Sequence, residues 1–254
     1  MIKPKTAKEI ESLATGGARL AQILAQVSKK CTVGQAVAKL DQVAAELIAP
    51  EDSAAFYQYQ PRGAPRPYPD HVCISVNDEI VHGIPRESQH VLADGDVVTV
   101  DMGLVHDGLV TDSAITIVVG EASQEQKDFL ATCQQALAAG IGAAEPDAHV
   151  GDISAAIQTA VGEDYAIFRE LVGHGVGYSV HEAPSVPNYG RAGRGLTLPA
   201  GTVIAIEPMI GLGSEQIRID DDGYTYRTSD ASLSAHFEHS IAITAEGPRI
   251  LTEL

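Results

Sequence analysis

The sequence is defined first by what it has little of. It has no tryptophan, only three cysteines, and half as many basic as acidic residues (17 Lys+Arg against 34 Asp+Glu, net charge −17). Cys31, Cys73 and Cys133 are far apart and odd in number, which excludes a disulfide framework or a zinc ribbon and fits a reducing cytoplasm. No apolar run approaches the roughly 18 residues of a membrane span, and MIKPKTAKEIESLAT lacks the apolar core of a signal peptide. A surface this acidic cannot wrap DNA. What is present is a chain of 254 residues, 44% hydrophobic and 20% charged, enough to bury a core and too apolar for disorder. The charge is uneven. Residues 1–39 carry Lys3, Lys5, Lys8, Arg19, Lys29, Lys30 and Lys39 against Glu9 and Glu11, a net of +5.

Periodicity predicts helices over 7–28 (Ile10, Leu13, Leu20, Ile23, Leu24, Val27) and over 33–48, the second stopped by Pro50. A proline-rich loop follows. Residues 72–82 read as strand, turn, strand about Asn77-Asp78, and 97–105 with 109–119 as a hairpin about His106-Asp107-Gly108. Ser123 and Gln126 make a capping box for a helix ending near Ala139, where Gly140 and Gly142 should break it. A further helix over 151–162 and β-runs near 171–181, 202–209, 216–227 and 236–244 complete the chain.

The two halves echo each other in order: VHGIP (81–85) with VHEAP (180–184), GDVVTVDMG (95–103) with GTVIAIEPM (201–209), DSAITIVVG (112–120) with EHSIAITAEG (238–247). This sets Asp101 against Glu207 and Asp112 against Glu238. Asp101 lies in an otherwise apolar strand; a two-residue loop at 106–107 puts Asp112 directly opposite it, a loop at 107–108 puts it on the diagonal, and in both registers the two share a face. Carboxylates gathered on an apolar face repel unless cations sit between them. No lysine or arginine lies in these strands, so two divalent metals are the natural counter-charge. With His174 in VGHGVG as a nitrogen donor, the set suits manganese, iron, cobalt or zinc better than calcium. His71, His106, His236 and His239 are assigned packing or surface roles, His236 and His239 being expected to point away from the metals.

CISVND with VHGIP, the Asp101/Asp112 hairpin, GHGVGYSVHEAPSVPNY, AIEPM and SLSAHFEHSIAIT together resemble the type I methionine aminopeptidases, from about residue 5 to the C-terminus. The resemblance implies an α+β pita-bread (creatinase/aminopeptidase) fold: two pseudo-symmetric halves, about 5–120 and 121–250, sharing a curved antiparallel sheet with helices on the outer face, in one catalytic domain over 1–254. It implies a cytoplasmic, monomeric dinuclear metallo-aminopeptidase that removes the initiator methionine from nascent chains. Asp112 and Glu238 would bridge two divalent ions (Co, Mn, Fe or Zn), Asp101 would hold one, and His174 and Glu207 the other. Glu207 would also shuttle protons, His181 would donate to the oxyanion, and His82 would contact the substrate backbone. Tyr59, Tyr68, Cys73, Val180 and Tyr224 would line the methionine pocket, Val180 and Tyr224 standing where the family more often has a bulky aromatic and a tryptophan. A monovalent cation (Na or K) would sit near Asn77, Glu79 and Ser234, mainly on backbone carbonyls. The basic 1–39 segment is a candidate ribosome contact. The rivals are an Xaa-Pro aminopeptidase or prolidase on the same fold, for which the segment before the first helix leaves no room for the usual extra domain, and a metal-free binding protein, which would have lost ligands. The 33 residues from His174 to Glu207 leave no space for the helical insert of the type II class.

Overall fold

The computed structural model describes residues 2–61 and 63–254. In chain order the elements are α1 (Ala7–Ser28), α2 (Leu40–Leu47), β1 (Ser53–Ala54), β2 (Cys73–Val76), β3 (Glu79–Val81), β4 (Val97–His106) and β5 (Leu109–Val118). There follow α3 (Gln124–Gly142), α4 (Val150–Val161), β6 (Ala166–Ile167), β7 (Val172–Gly175), β8 (Glu182–Pro187), β9 (Val203–Ile206) and β10 (Met209–Gly211). The chain ends with β11 (Ile217–Ile219), β12 (Tyr226–Thr228), β13 (Ser234–His236), β14 (His239–Thr244) and β15 (Gly247–Ile250). All strand pairings among the described residues are antiparallel.

The β4–β5 hairpin shows how sequence becomes architecture. Asp107 and Gly108 both take positive φ (51° and 75°), the backbone of a two-residue turn whose twist matches its strands, so His106 pairs with Leu109. The register then runs unbroken back to Val97 opposite Val118. Side chains alternate across the sheet. Val98, Val100, Met102 and Leu104 face the helices, packing with Leu20, Leu24 and Val27 of α1 and Leu40 of α2. Thr99 and Asp101 face the other way, level with Thr116 and Ala114. Gly103 is opposite Asp112, so of the two registers open to the hairpin the acids take the diagonal one and share a face.

The second half builds its own core. Phe129, Cys133 and Leu137 of α3 and Ile153 and Ile157 of α4 pack on Ile204, Ile206, Ile241 and Ile243 of β9 and β14. Ile115 packs against both this cluster and that of the first half. The halves are stitched where β5 meets the segment joining β13 to β14. Ala114 and Glu238 form a backbone bridge, and Ser240 Oγ donates to the Asp112 carbonyl (2.8 Å) while accepting its N–H (2.9 Å).

Several expectations are corrected. No α-helix begins at 33; a single 3-10 turn, Val37–Lys39, leads into α2. Conversely α3 runs through Gly140 instead of breaking there, because a Cβ at that position would come within 2.8 Å of Ile157 Cγ1. The glycine lets α3 and α4 approach closely, and packing outweighs its roughly 1 kcal/mol helix penalty. The β-run at 171–181 ends at Gly175, and its partner β8 starts at Glu182. Lys5 does not belong to a basic surface: it is buried, its Nζ 2.8 Å from Glu182 Oε2, whereas Lys3, Lys8, Lys29, Lys30 and Lys39 are exposed.

Candidate metal centre

Four carboxylates converge where the halves meet. Asp101 comes from β4 and Asp112 from β5, inside continuous strands; Glu207 lies in the break between β9 and β10, and Glu238 in the break between β13 and β14. All four are buried, between 2% and 7% exposed. Among the described residues their only ion-pair partners within 4 Å are histidines. His174 Nε2 lies 3.3 Å from Glu207 Oε1 and 3.9 Å from Asp112 Oδ2. His236 Nε2 lies 3.5 Å from Glu238 Oε2 and 3.7 Å from Glu207 Oε2. Two three-residue groups can therefore present donors to an ion, Asp112/His174/Glu238 and Glu207/His236/Glu238, sharing Glu238.

The electrostatics are those of a cluster short of positive charge. Burial first, then neighbouring carboxylates, push Asp101, Asp112 and Glu207 well above the usual carboxylate range. Burial raises Glu238 to about 8. It also drives His174 and His236 down to about 3, leaving them neutral imidazoles with a free lone pair. Asp101 Oδ1, Asp112 Oδ1, Glu238 Oε1 and both ring nitrogens of His236 are buried without a hydrogen-bond partner among the described residues. Orphaned buried acceptors are costly. Hard oxygens and borderline nitrogens aimed at one point are what a divalent transition metal requires, so the residues fit such an ion. His174 is pre-set for ligation: its Nδ1 lies 3.0 Å from the Gly175 carbonyl, which only an N–H can satisfy, so Nε2 faces the carboxylates bare.

A cavity of about 120 Å³ opens from the cluster. Tyr59, Tyr68, Cys73, His82, His181 and Tyr224 line it together with all five expected ligands. Tyr68 stands edge-on to Tyr224 (centroids 5.2 Å apart), and its hydroxyl donates to the Gly83 carbonyl (2.7 Å). Cys73 is opposite Asp101 in the β2–β4 ladder. His82, held at φ +62°, is lowered to about 4 by burial and by His181. His181 packs edge-on to His174 (4.4 Å), and its Nδ1 lies 3.2 Å from the Tyr59 hydroxyl. The Glu182 carboxylate beside it accepts the backbone N–H of Tyr178 and of Ser179 (2.9 Å for the latter), folding the loop that carries His181.

Val180 is a correction. It does not line the cavity but is buried with Ile10, Leu13 and Val176, in the cluster against which Phe56 and Tyr59 pack. The two residues Val180 and His181 lie in the loop between β7 and β8, where Val180 packs into the cluster holding Ile10 and Leu13 of α1 while His181 reaches the cavity. Phe56, Pro61, Val81, Leu171, Val172 and Met209 line the cavity unanticipated. His236 is the larger miss. It stands two residues before Glu238, and in extended backbone a spacing of two keeps side chains on one face; the signal was present. His71, His106 and His239 do take the packing roles assigned to them, with Asp41, Asp52 and Thr252 respectively. Asn77, Glu79 and Ser234 also come together, the Ser234 hydroxyl lying 3.1 and 3.0 Å from the Asn77 and Glu79 carbonyls.

The chain matches metallopeptidase family M24 over residues 11–245. A methionine aminopeptidase of Aquifex aeolicus is 40% identical over 251 residues, covering 97% of each chain. The crystal structure of a methionine aminopeptidase from Thermotoga maritima superposes with a TM-score of 0.94 at 37% identity, covering 100% of both chains. A prolidase from Pyrococcus furiosus shares the fold at a TM-score of 0.71 and 22% identity, with 65% of that chain covered. With a pita-bread fold, a buried carboxylate–imidazole cluster and relatives of this closeness, the chain belongs to metallopeptidase family M24, among the type I methionine aminopeptidases.

Proposed function

We propose that the chain hydrolyses the first peptide bond of polypeptides that begin with methionine, working as one catalytic domain (1–254) whose two halves, about 5–120 and 121–250, each contribute part of the site. The observation that carries this reading is the cluster of four buried acids with no lysine or arginine partner among the described residues, set at the end of a small apolar, tyrosine-lined cavity. Asp101, Asp112, His174, Glu207 and Glu238 would hold two divalent ions (Co, Mn, Fe or Zn). When bound, such ions would activate water at neutral pH and polarise the scissile carbonyl.

The protein's own groups do the rest. Tyr59, Tyr68, Cys73 and Tyr224 enclose the methionine side chain, with Leu171 and Met209 adding apolar wall. The family pocket also assigns Val180 a place; here its contribution is indirect, by backing Tyr59. Burial raises the Tyr59 phenol, so it stays protonated and donates to His181 Nδ1. That leaves the His181 proton on Nε2, the tautomer needed to donate to a developing oxyanion. His82, kept neutral, hydrogen-bonds the substrate backbone beside the scissile amide. Glu207, beside the scissile bond, would accept a proton from water as its carboxylate and pass it to the leaving amine.

A monovalent cation (Na or K) fits near Asn77, Glu79 and Ser234, where two carbonyls already converge on one hydroxyl. The exposed Lys3, Lys8, Lys29, Lys30 and Lys39 offer a ribosome contact, a cytoplasmic monomer being the expected form. No helix among the described residues is long and apolar enough to cross a membrane.

Peptide assays on metal-reconstituted protein test the reading. Met-Ala-Ser should be cleaved well, with Leu- and Phe-initiated analogues and X-Pro peptides poor. Equal rates for Met, Leu and Phe would refute a methionine pocket, and preference for X-Pro would favour the prolidase reading.

A further inference from the structure

His236 has more contact with the metal cluster than a packing residue needs. It ends β13, opposite Met209 of β10. Its backbone is clamped on the other side by one side chain: the N–H donates to Thr116 Oγ1 (3.1 Å), and that hydroxyl donates to the His236 carbonyl (2.5 Å). Thr116 is in turn held by Thr99 (2.9 Å), on the same face of the hairpin as Asp101. The ring direction is thus set by both halves. The residue is 1% exposed, and neither ring nitrogen has a hydrogen-bond partner among the described residues.

The distances decide what the ring is doing. At 3.5 and 3.7 Å from the Glu238 and Glu207 oxygens, Nε2 is too far for hydrogen bonds. Donor atoms that each sit about 2.0–2.2 Å from a shared ion are separated by roughly 3–3.6 Å, which is close to this spacing. Glu207 also turns its other oxygen, Oε1, toward His174, so it stands between two imidazoles. We propose that His236 is a second imidazole ligand, adding a nitrogen to the ion held by Glu207 and Glu238. This rests on the metal reading above and extends it. His174 is the firmer of the two ligands, since its Nδ1 has the Gly175 carbonyl to orient it and His236 Nδ1 has no such partner. A second imidazole tilts the site toward cobalt, iron or zinc and away from manganese.

The test uses the full chain, stripped by chelator and titrated anaerobically with Co(II). Proton NMR of the wild type should show two hyperfine-shifted, exchangeable imidazole N–H resonances, one from each ligated histidine. In His236→Gln one of them should vanish, one Co(II) dissociation constant should rise at least tenfold, the cobalt absorption bands should shift, and the Co(II)-over-Mn(II) preference should shrink. A single shifted imidazole N–H in the wild type overturns the proposal without recourse to any variant. So does a folded His236→Gln protein whose affinity and spectrum match the wild type. Failure of the wild type to bind Co(II) at all would instead overturn the underlying metal reading.

Discussion

The first and second halves of the chain each supply two of the four acids, and they do so in different ways. In the first half Asp101 and Asp112 are short side chains on ten-residue strands paired at every position, so the backbone alone fixes where they point. In the second half Glu207 and Glu238 fall in breaks between strands, and a longer side chain covers the gap. Both imidazoles, His174 and His236, also come from the second half. One half is therefore a rigid oxygen platform and the other an adaptable, nitrogen-bearing jaw. The cluster is chemically unlike at its two ends, oxygen-rich toward Asp101 and richer in nitrogen toward Glu207.

The largest effect expected from this asymmetry comes from the residue shared across it. Asp112 is tied to the second half through Ser240 and faces both His174 and Glu238. Asp112→Asn keeps the shape and removes the charge, so it should lower kcat/KM for Met-Ala-Ser by well over the roughly 10–100-fold typical of outer-shell changes, and it should release more than one ion by metal analysis. Loss of one ion alone would mean that the halves hold their metals independently.

A second effect reads the stored repulsion directly. An acid whose folded pKa is raised binds more protons folded than unfolded, so it stabilises at low pH, and that contribution fades as pH climbs from the unfolded value to the folded one. Glu238 is raised to about 8, and Asp101, Asp112 and Glu207 are raised as well. Metal-free protein should therefore lose stability from about pH 4.5 to 8, each pH unit removing about 1.4 kcal/mol through Glu238 alone. Across the whole interval that corresponds to a fall in Tm on the order of 10 °C. Added Co(II) should reverse the trend, because it competes with those protons. A flat Tm–pH profile for the stripped protein would show that the jaw relaxes to separate its acids.

Much of this comparison was legible in the sequence because it depends on local rules. A two-residue turn about His106-Asp107-Gly108 puts Asp101 and Asp112 on one face in either register, and the positive φ of Asp107 and Gly108 then selects the diagonal one. The echo between the halves likewise aligned Glu207 and Glu238 with them. What escaped depended on tertiary packing or on treating neighbours alike. His236 and His239 were grouped as residues flanking Glu238, yet one is two positions away and the other is adjacent, so only the first shares its face. Val180 was assigned to the pocket by likeness to other members, while packing with Leu13 turns it inward. Gly140 reads as a helix breaker until α4 is placed against it. Lys5 looks like one more surface lysine, and nothing local shows that Glu182, 177 residues away, will bury it.

That ion pair gives the smallest effect and the most selective test of how the first half supports the second. Lys5 precedes α1, its own N–H bonded to the Gly201 carbonyl and its ammonium over the Tyr178 ring at 4.6 Å. Through Glu182 it closes the turn that presents His181. Removing one partner of a buried pair commonly costs about 3–5 kcal/mol. Here Glu182 retains two backbone N–H donors and some solvent, so Lys5→Met should cost less, about 2 kcal/mol, or roughly 4–8 °C in Tm. The ligand set is untouched, so Co(II) affinity should stay at the wild-type value while kcat falls a few-fold with KM nearly constant, as His181 loses its fixed aim at the oxyanion. If Co(II) affinity falls in step with kcat, the N-terminal segment braces the whole jaw and not the His181 loop alone.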